Sequence, residues 1–172
     1  MEFFDSVQAR RSTRAFAAKT LEPEKLQTIL GAANCAPSAG NLQAYEIYAV
    51  NRRATLTALA DAAFGQEFVA RAPVALVFCA HPKRSARKYT QRGTSLYCIQ
   101  DATIACTYAQ LAATALGLAS VWVGAFNDDA VRQAIGVGED LLPVAVLPIG
   151  YAGETPQVTS RRSLASLVHY IS

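Results

Sequence analysis

Between Asp101 and Asp128 the chain carries no charged residue. A run of that length can cross a bilayer, so it must either span a membrane or be buried in protein. Three features favour burial. The flanks are Asp101 and the pair Asp128-Asp129, not the Lys or Arg expected at a membrane boundary. Gly117 divides the run into an Ala-rich part and a β-branched and aromatic part. Gln100, Thr103, Thr107, Gln110 and Thr114 recur at three- and four-residue spacing, which draws a narrow neutral stripe on an apolar helix. The spacing predicts a helix enclosed on nearly all sides, placed at a subunit interface and followed by a strand. A membrane span is the alternative reading.

Composition points the same way. Of 172 residues, 52% are hydrophobic and only 17% charged, more apolar residue than one domain of this size can hide. An oligomer with a large apolar interface resolves the excess. The net charge of +3 is too small to imply non-specific nucleic-acid binding. Cys35, Cys79, Cys98 and Cys106 show neither CxxC nor paired-histidine spacing, so no metal site and no disulfide framework is expected. Such thiols fit a reducing cytoplasm. Glu2 and Asp5 precede the first basic residues and no apolar stretch follows them, unlike a secretory signal. One domain over 1–172 is expected, without repeats or linkers.

Helices are predicted over Glu2–Ala9, Pro23–Ala33, Ala54–Ala63, Ser95–Leu116 and Asp128–Ile135, the last capped by Asn127 or Asp128. Pro23 suits a first helical position. Tyr45–Val50, Pro73–Ala80, Ala119–Val123 and Pro143–Ile149 read as strands; PVALVFCA and PVAVLPI are continuous apolar runs, hence central. His81 to Gly93 is polar and basic and reads as a mobile excursion. From Gly153 onward the chain is turn-rich, with a short apolar set at Leu164, Leu167 and Val168. Intermixed helices and strands describe an α+β or α/β sandwich, one sheet covered on both faces.

Four constellations carry potential chemistry. Arg10-Arg11-Ser12-Thr13-Arg14 packs three fixed cations and two hydroxyls into five residues, a donor set that matches phosphate oxygens. Taken alone it reads as a solvated patch or a nucleic-acid arm. In Pro37-Ser38-Ala39-Gly40-Asn41-Leu42-Gln43 small residues permit close approach of a flat ligand, and Asn41 and Gln43 offer donor and acceptor to a ring edge. Alone it is an ordinary turn. Gly117 to Phe126 holds a short strand bounded by Gly117 and Gly124, whose free N–H groups can face a ring; the plain reading is a core strand with a core Trp122. Ser160-Arg161-Arg162-Ser163 by itself is a surface pair. There is no GxGxxG, no GxxxxGK[ST] and no GxSxG, and His81 and His169 have no evident partner. Acid–base groups are scarce, which suits a reaction whose hard step is carried by a cofactor.

Taken in order, RRSTRAF, APSAGNLQ, GLASVWVGAF and the late RR pair, with IQDATIACTYAQLAATALGL between them, resemble the nitroreductase family over nearly the whole chain, and its short members most. The resemblance implies an α+β, three-layer α/β/α sandwich with a mostly antiparallel sheet. It also implies an intertwined homodimer, with the long helix at the interface and two FMN molecules each touched by both subunits. Arg10, Arg11 and Ser12 would hold the FMN phosphate and ribityl chain, and Arg14 would lie at the pyrimidine edge and stabilise the reduced ring. Pro37, Ser38, Ala39, Gly40 and Asn41 would come from the partner. Val123, Gly124 and Ala125 would run along the ring with an N–H near N5, and Arg161 and Arg162 would close on the phosphate. No protein residue is catalytic in that picture. NADH or NADPH would donate hydride to N5, and a nitroaromatic, quinone or flavin would accept it in ping-pong fashion. Dehydrogenation of an unknown metabolite is a second enzymatic reading, and an anion- or nucleic-acid-binding module is the reading from another class. The chain departs from the common family pattern at Ala44-Tyr45, where many members have Pro-Trp after the glutamine. The basic stretch 81–93 falls where the family varies and is expected to border the substrate opening; Lys83, Arg84, Arg87, Lys88 and Arg92 would help hold a nicotinamide dinucleotide phosphate there, with a solvated basic loop as the alternative reading.

Overall fold

A computed structural model describes residues 1–171; Ser172, inside the expected domain, lies outside the described residues. The strands are β1 (Tyr45–Val50), β2 (Val74–Ala80), β3 (Ala119–Ser120) and β4 (Leu142–Gly150). They form one sheet in the order β1-β2-β4-β3, and every pairing is antiparallel. The helices are α1 (Phe3–Ala9), α2 (Pro23–Asn34), α3 (Arg53–Ala62), α4 (Phe68–Arg71), α5 (Pro82–Arg92), α6 (Cys98–Ala115) and α7 (Asp128–Ile135).

The layering follows from β2. All seven of its residues are buried. Because successive side chains on a strand point to opposite faces, a strand with no polar position needs cover on both sides. Val74, Leu76, Phe78 and Ala80 join the cluster containing Ile29 and Ala33 of α2 and the alanine row Ala102, Ala105, Ala109 and Ala113 of α6. Ala75, Val77 and Cys79 join Leu56 and Leu59 of α3 and Val131 of α7 on the other face. The result is three layers, helix–sheet–helix, as expected. Burial in this core pushes the Cys79 thiol up to about 12, and all four cysteines are free.

α7 starts where the sequence places it: Asn127 Oδ1 accepts a hydrogen bond from Ala130 N at 2.9 Å, and Gly136 closes the helix in the left-handed region at φ 72°. Other elements differ from expectation. The predicted strand Ala119–Val123 is regular only at Ala119–Ser120, with one further bridge between Val123 and Val146. The stretch 81–93 is not an excursion but α5, which runs into a five-residue π turn at Gly93–Tyr97 before α6. His81 caps α5, its ring nitrogen accepting from Arg84 N at 3.3 Å, and Pro82 occupies the first turn. Arg84 ties the helix to β1 by donating to the Gln43 and Tyr45 carbonyls and pairing with Glu46; Lys83 pairs with Asp140.

α6 is enclosed less completely than its composition suggests. Gln110 and Thr114 are buried, but Gln100 and Thr107 are exposed and Tyr108 is 39% exposed, so this chain leaves one face of the helix open. No helix is long and apolar enough to cross a membrane among the described residues. Near its start, Asp101 is only 2% exposed, and its Oδ1 accepts from Ala39 N at 2.8 Å, which pins the turn at Ala39–Asn41 to α6. A fully buried N–H left without its acceptor costs about 1–3 kcal/mol, and the Ala39 N–H is partly buried, which places its loss at the low end of that range. Asp101→Ala is expected to lower stability within that range, read by urea unfolding at fixed protein concentration, and to speed amide exchange at Ala39. Asp101→Asn, which keeps an acceptor, should do less on both counts.

Candidate functional site

The segment after α1 is held open by the sheet edge. Ser12 bridges Ser120 in parallel, and Thr13 N donates to the Ser120 carbonyl at 3.1 Å. On its other side the segment pairs with the stretch that leaves β4: Phe16 bridges Ala152, Ala17 N donates to Tyr151 O at 2.9 Å, and Gly153 N donates to Ala15 O at 2.8 Å. A Cβ on Gly153 would lie 2.9 Å from the Phe16 carbonyl carbon, so this close approach requires glycine. Thr13 is buried at 3%, while Ser12 and Arg14, its neighbours in an extended chain, are exposed.

Arg10, Arg11, Ser12 and Arg14 therefore share one cleft of about 660 Å³, whose far wall is Glu154 to Gln157, Thr159 and Arg161. Burial, the nearby Arg161 and the adjacent Arg11 together hold the Arg10 guanidinium below its ordinary pKa. The four arginines of the cleft outnumber its one acid, Glu154, and a bound phosphate relieves that excess. Arg11 turns back to donate to the Gln8 and Arg10 carbonyls. Ser120 Oγ, on the residue bridged to Ser12, is buried without a hydrogen-bond partner. Glu154 is the one acid in the cleft, and its Oε1 is committed to backbone, accepting from Arg14 N at 2.6 Å and Ala15 N at 3.1 Å. Arg162 does not line the cleft; its guanidinium donates to Ser166 O at 2.7 Å.

Gly124 and Ala125 follow Val123 along the β4 edge. Both are exposed, and neither backbone N–H has a protein partner among the described residues. Val123 itself is buried. The loop Pro37 to Asn41 lies elsewhere. Its conformation is fixed by Asp101 and by Ser38 Oγ, which accepts from Gln43 N at 3.0 Å, and Gly40 and Asn41 adopt φ 56° and 58°. Pro37, Ser38 and Ala39 border a separate hollow with Tyr97, Gln100 and Ile104 at the start of α6. A second hollow, beside the arginine cleft and sharing Arg10 and Arg11 with it, reaches Thr114 at the other end of that helix. From Asp101 to Thr114 the axis rises about 20 Å at ~1.5 Å per residue. Within one chain, then, the arginine cleft and the Pro37–Asn41 loop sit at opposite ends of α6.

Two contributors escape a reading of the sequence alone. Glu154 shapes Arg14 from 140 residues away, and no local pattern marks it. Asp101 marks the edge of the charge-free run, but its role as a loop anchor depends on how α2 and α6 pack. No cluster of His, Cys, Asp and Glu able to hold a metal occurs among the described residues.

Comparison with known proteins gives consistent results. A family model described as the nitroreductase family matches residues 7–67 and 60–151. A Thermus thermophilus protein named NADH dehydrogenase is 32% identical over 92% of this chain and 91% of its own. The structure of an FMN-dependent nitroreductase from Clostridium difficile superposes with a TM-score of 0.84 at 28% identity, covering 97% of this chain and 98% of that one. The NADPH:FMN oxidoreductase of Vibrio harveyi, solved with NAD+, superposes with a TM-score of 0.89 at 27% identity over 98% of this chain and 76% of that one. With the ordered motifs, the three-layer fold and a match over most of its length, this chain belongs to the nitroreductase family.

Proposed function

We propose that this chain is an FMN-dependent NAD(P)H oxidoreductase, working as a homodimer in which each site draws on both subunits. The observation that carries the reading is the convergence of Arg10, Arg11, Ser12 and Arg14 with the distant Arg161 on one cleft that holds four arginines and one acid. A phosphomonoester brings about −1.5 to −2 charges at neutral pH, enough to compensate the excess. The relatives named as FMN-dependent and the neighbour solved with NAD+ support the choice of FMN and a nicotinamide donor.

Each group then has a role set by its chemistry. Arg10, Arg11, Ser12 and Arg161 would bind the FMN phosphate, with Arg162 near the same end of the chain. Arg14, whose backbone is fixed by Glu154 and whose guanidinium has no protein partner among the described residues, would orient the pyrimidine edge by charge. The free N–H groups at Gly124 and Ala125, behind the buried Val123, would donate to the ring. Pro37 to Asn41 of the partner would cover it and exclude water. When bound, FMN would supply the redox chemistry, carrying hydride from NADH or NADPH through its N5 to a nitroaromatic, a quinone or another flavin in ping-pong fashion. The protein contributes binding, orientation and electrostatics rather than a proton-transferring side chain.

Dimerisation is supported by apolar surface that this chain does not cover. Phe3 and Phe4 on α1 are 64% and 76% exposed, and the tail presents Val158, Leu164, Leu167, Val168, Tyr170 and Ile171. Surface of this kind marks an interaction site. The separation of the arginine cleft and the Pro37–Asn41 loop along α6 gives the same indication, since a second copy can bring one to the other. Four free thiols suit a cytoplasmic setting.

The double variant Arg10→Ala, Arg14→Ala is expected to purify mostly flavin-free, measured as the ratio of flavin to protein absorbance; retention of full FMN occupancy overturns the phosphate assignment. Sedimentation of the wild-type holoprotein at micromolar concentration should give a dimer. A flavin-loaded monomer would rule out the shared site.

A further inference from the structure

We infer that Lys88, Tyr89, Arg92 and Tyr97 form a nucleotide-selecting wall that takes the 2′-phosphorylated adenosine of NADPH, so that this enzyme discriminates against NADH. The inference rests on the functional reading above and concerns a part of the chain to which that reading gives no role.

α5 carries five cations and no acid. Two are neutralised within the fold, Lys83 by Asp140 and Arg84 by Glu46, and Arg87, Lys88 and Arg92 have no carboxylate within 4.0 Å among the described residues. Lys88 and Arg92 are not simply solvated. A Cβ on Gly40 would lie 2.6 Å from Tyr89 Oη and 2.9 Å from Lys88 Nζ, so both side chains rest on the turn of the Pro37–Asn41 loop. The Tyr89 and Tyr97 rings meet edge to face at 5.1 Å. Arg92 Nε donates to Tyr97 Oη at 3.0 Å, and its guanidinium lies 5.4 Å from the Tyr97 ring centre. The four side chains thus form one connected array, two cations held by two aromatic rings, mounted on the loop proposed to cover the flavin.

The backbone makes room for this array. Thr90 leaves the helical region at φ 45°, ψ −130°, between Tyr89 and Arg92, and the π turn Gly93–Tyr97 follows directly. For a β-branched residue that φ is an outlier, and π turns interrupt helices mostly at functional sites. Asp101, which anchors the loop, is buried and bonded to Ala39 N, and it pairs with neither Lys88 nor Arg92.

Two cations without carboxylate partners, held against two half-buried tyrosine rings, suit the phosphate dianion of a phosphorylated nucleoside. NADH and NADPH differ only in that phosphate, so the array acts on the difference between them. One or two charge-assisted bonds give a preference of roughly tenfold or more.

The test uses the FMN-loaded dimer. Calorimetric titration should show adenosine 2′,5′-bisphosphate binding roughly tenfold or more tighter than 5′-AMP. Anaerobic stopped-flow reduction should show the same preference for NADPH over NADH. In Lys88→Ala, Arg92→Ala both ratios should fall toward one, and in Lys83→Ala, whose charge is paired elsewhere, both should stay at the wild-type value. The milder pair Lys88→Met, Arg92→Gln keeps the side-chain stems and reads the same ratios if the alanine variant does not fold. Equal binding of the two nucleotides by the wild type, or ratios unchanged in the variants, overturns the inference while leaving the flavoenzyme intact. A protein that holds no FMN, or is reduced by neither nucleotide, overturns the functional reading and this inference with it.

Discussion

The burial of β2 on both faces is the constraint on which the architecture depends. A strand with no solvent-facing residue forces a helical layer on each side, and the alanine row of α6 lets one of those layers approach closely. Once α6 is fixed against the sheet, its ends are fixed as well. One end carries Asp101 and the loop it anchors; the other lies near β3 and the arginine segment bridged to it. The two halves of the proposed site are therefore placed by the core, not by flexible loops, and their spacing is set by helix length.

Electrostatics in the cleft follow from the same edge pairing. Extended backbone alternates its side chains, so anchoring Thr13 inward turns Ser12 and Arg14 outward. Pairing of the stretch after β4 with the Ala15–Ala17 backbone then leads the chain on toward Arg161, opposite Arg10. The excess of guanidinium groups over acid in the cleft is set by the fold and relieved by whatever anion enters. Glu154 offsets only part of that excess, one carboxylate against four guanidinium groups, and its Oε1 is turned to two backbone N–H groups. An acid aimed at the guanidinium groups instead would close the cleft with an internal ion pair and compete with a phosphate.

Much of this was legible in the sequence because it was local. The apolar runs at 73–80 and 143–149 read directly as buried strands, and Asn127 or Asp128 as a cap, of which the structure uses Asn127. The misreadings share a cause. α5 lacks an apolar stripe, so periodicity gives it no signal; it is held by the His81 cap, by Pro82 in the first turn and by Arg84 reaching back to β1, contacts known only once β1 and the helix are side by side. The long helix was read as enclosed on nearly all sides, whereas one chain covers only part of it, because composition reports total burial without saying which chain supplies it. Glu154 had no local signal at all.

Exposure of the tail links cofactor retention to assembly. Arg161 closes the cleft, yet the segment that carries it has little cover from its own chain: residues 157–171 are all exposed. An arginine on an uncovered segment holds an anion weakly, because ordering the segment costs backbone entropy of about 1–2 kcal/mol per residue. A partner subunit that covers Leu164, Leu167 and Val168 removes that cost before the phosphate arrives. On the proposed reading, the residues that stabilise the dimer and the residue that completes the phosphate clamp lie on one strip of chain. Binding of the phosphate and binding of the partner then favour each other by the same factor, as linkage requires.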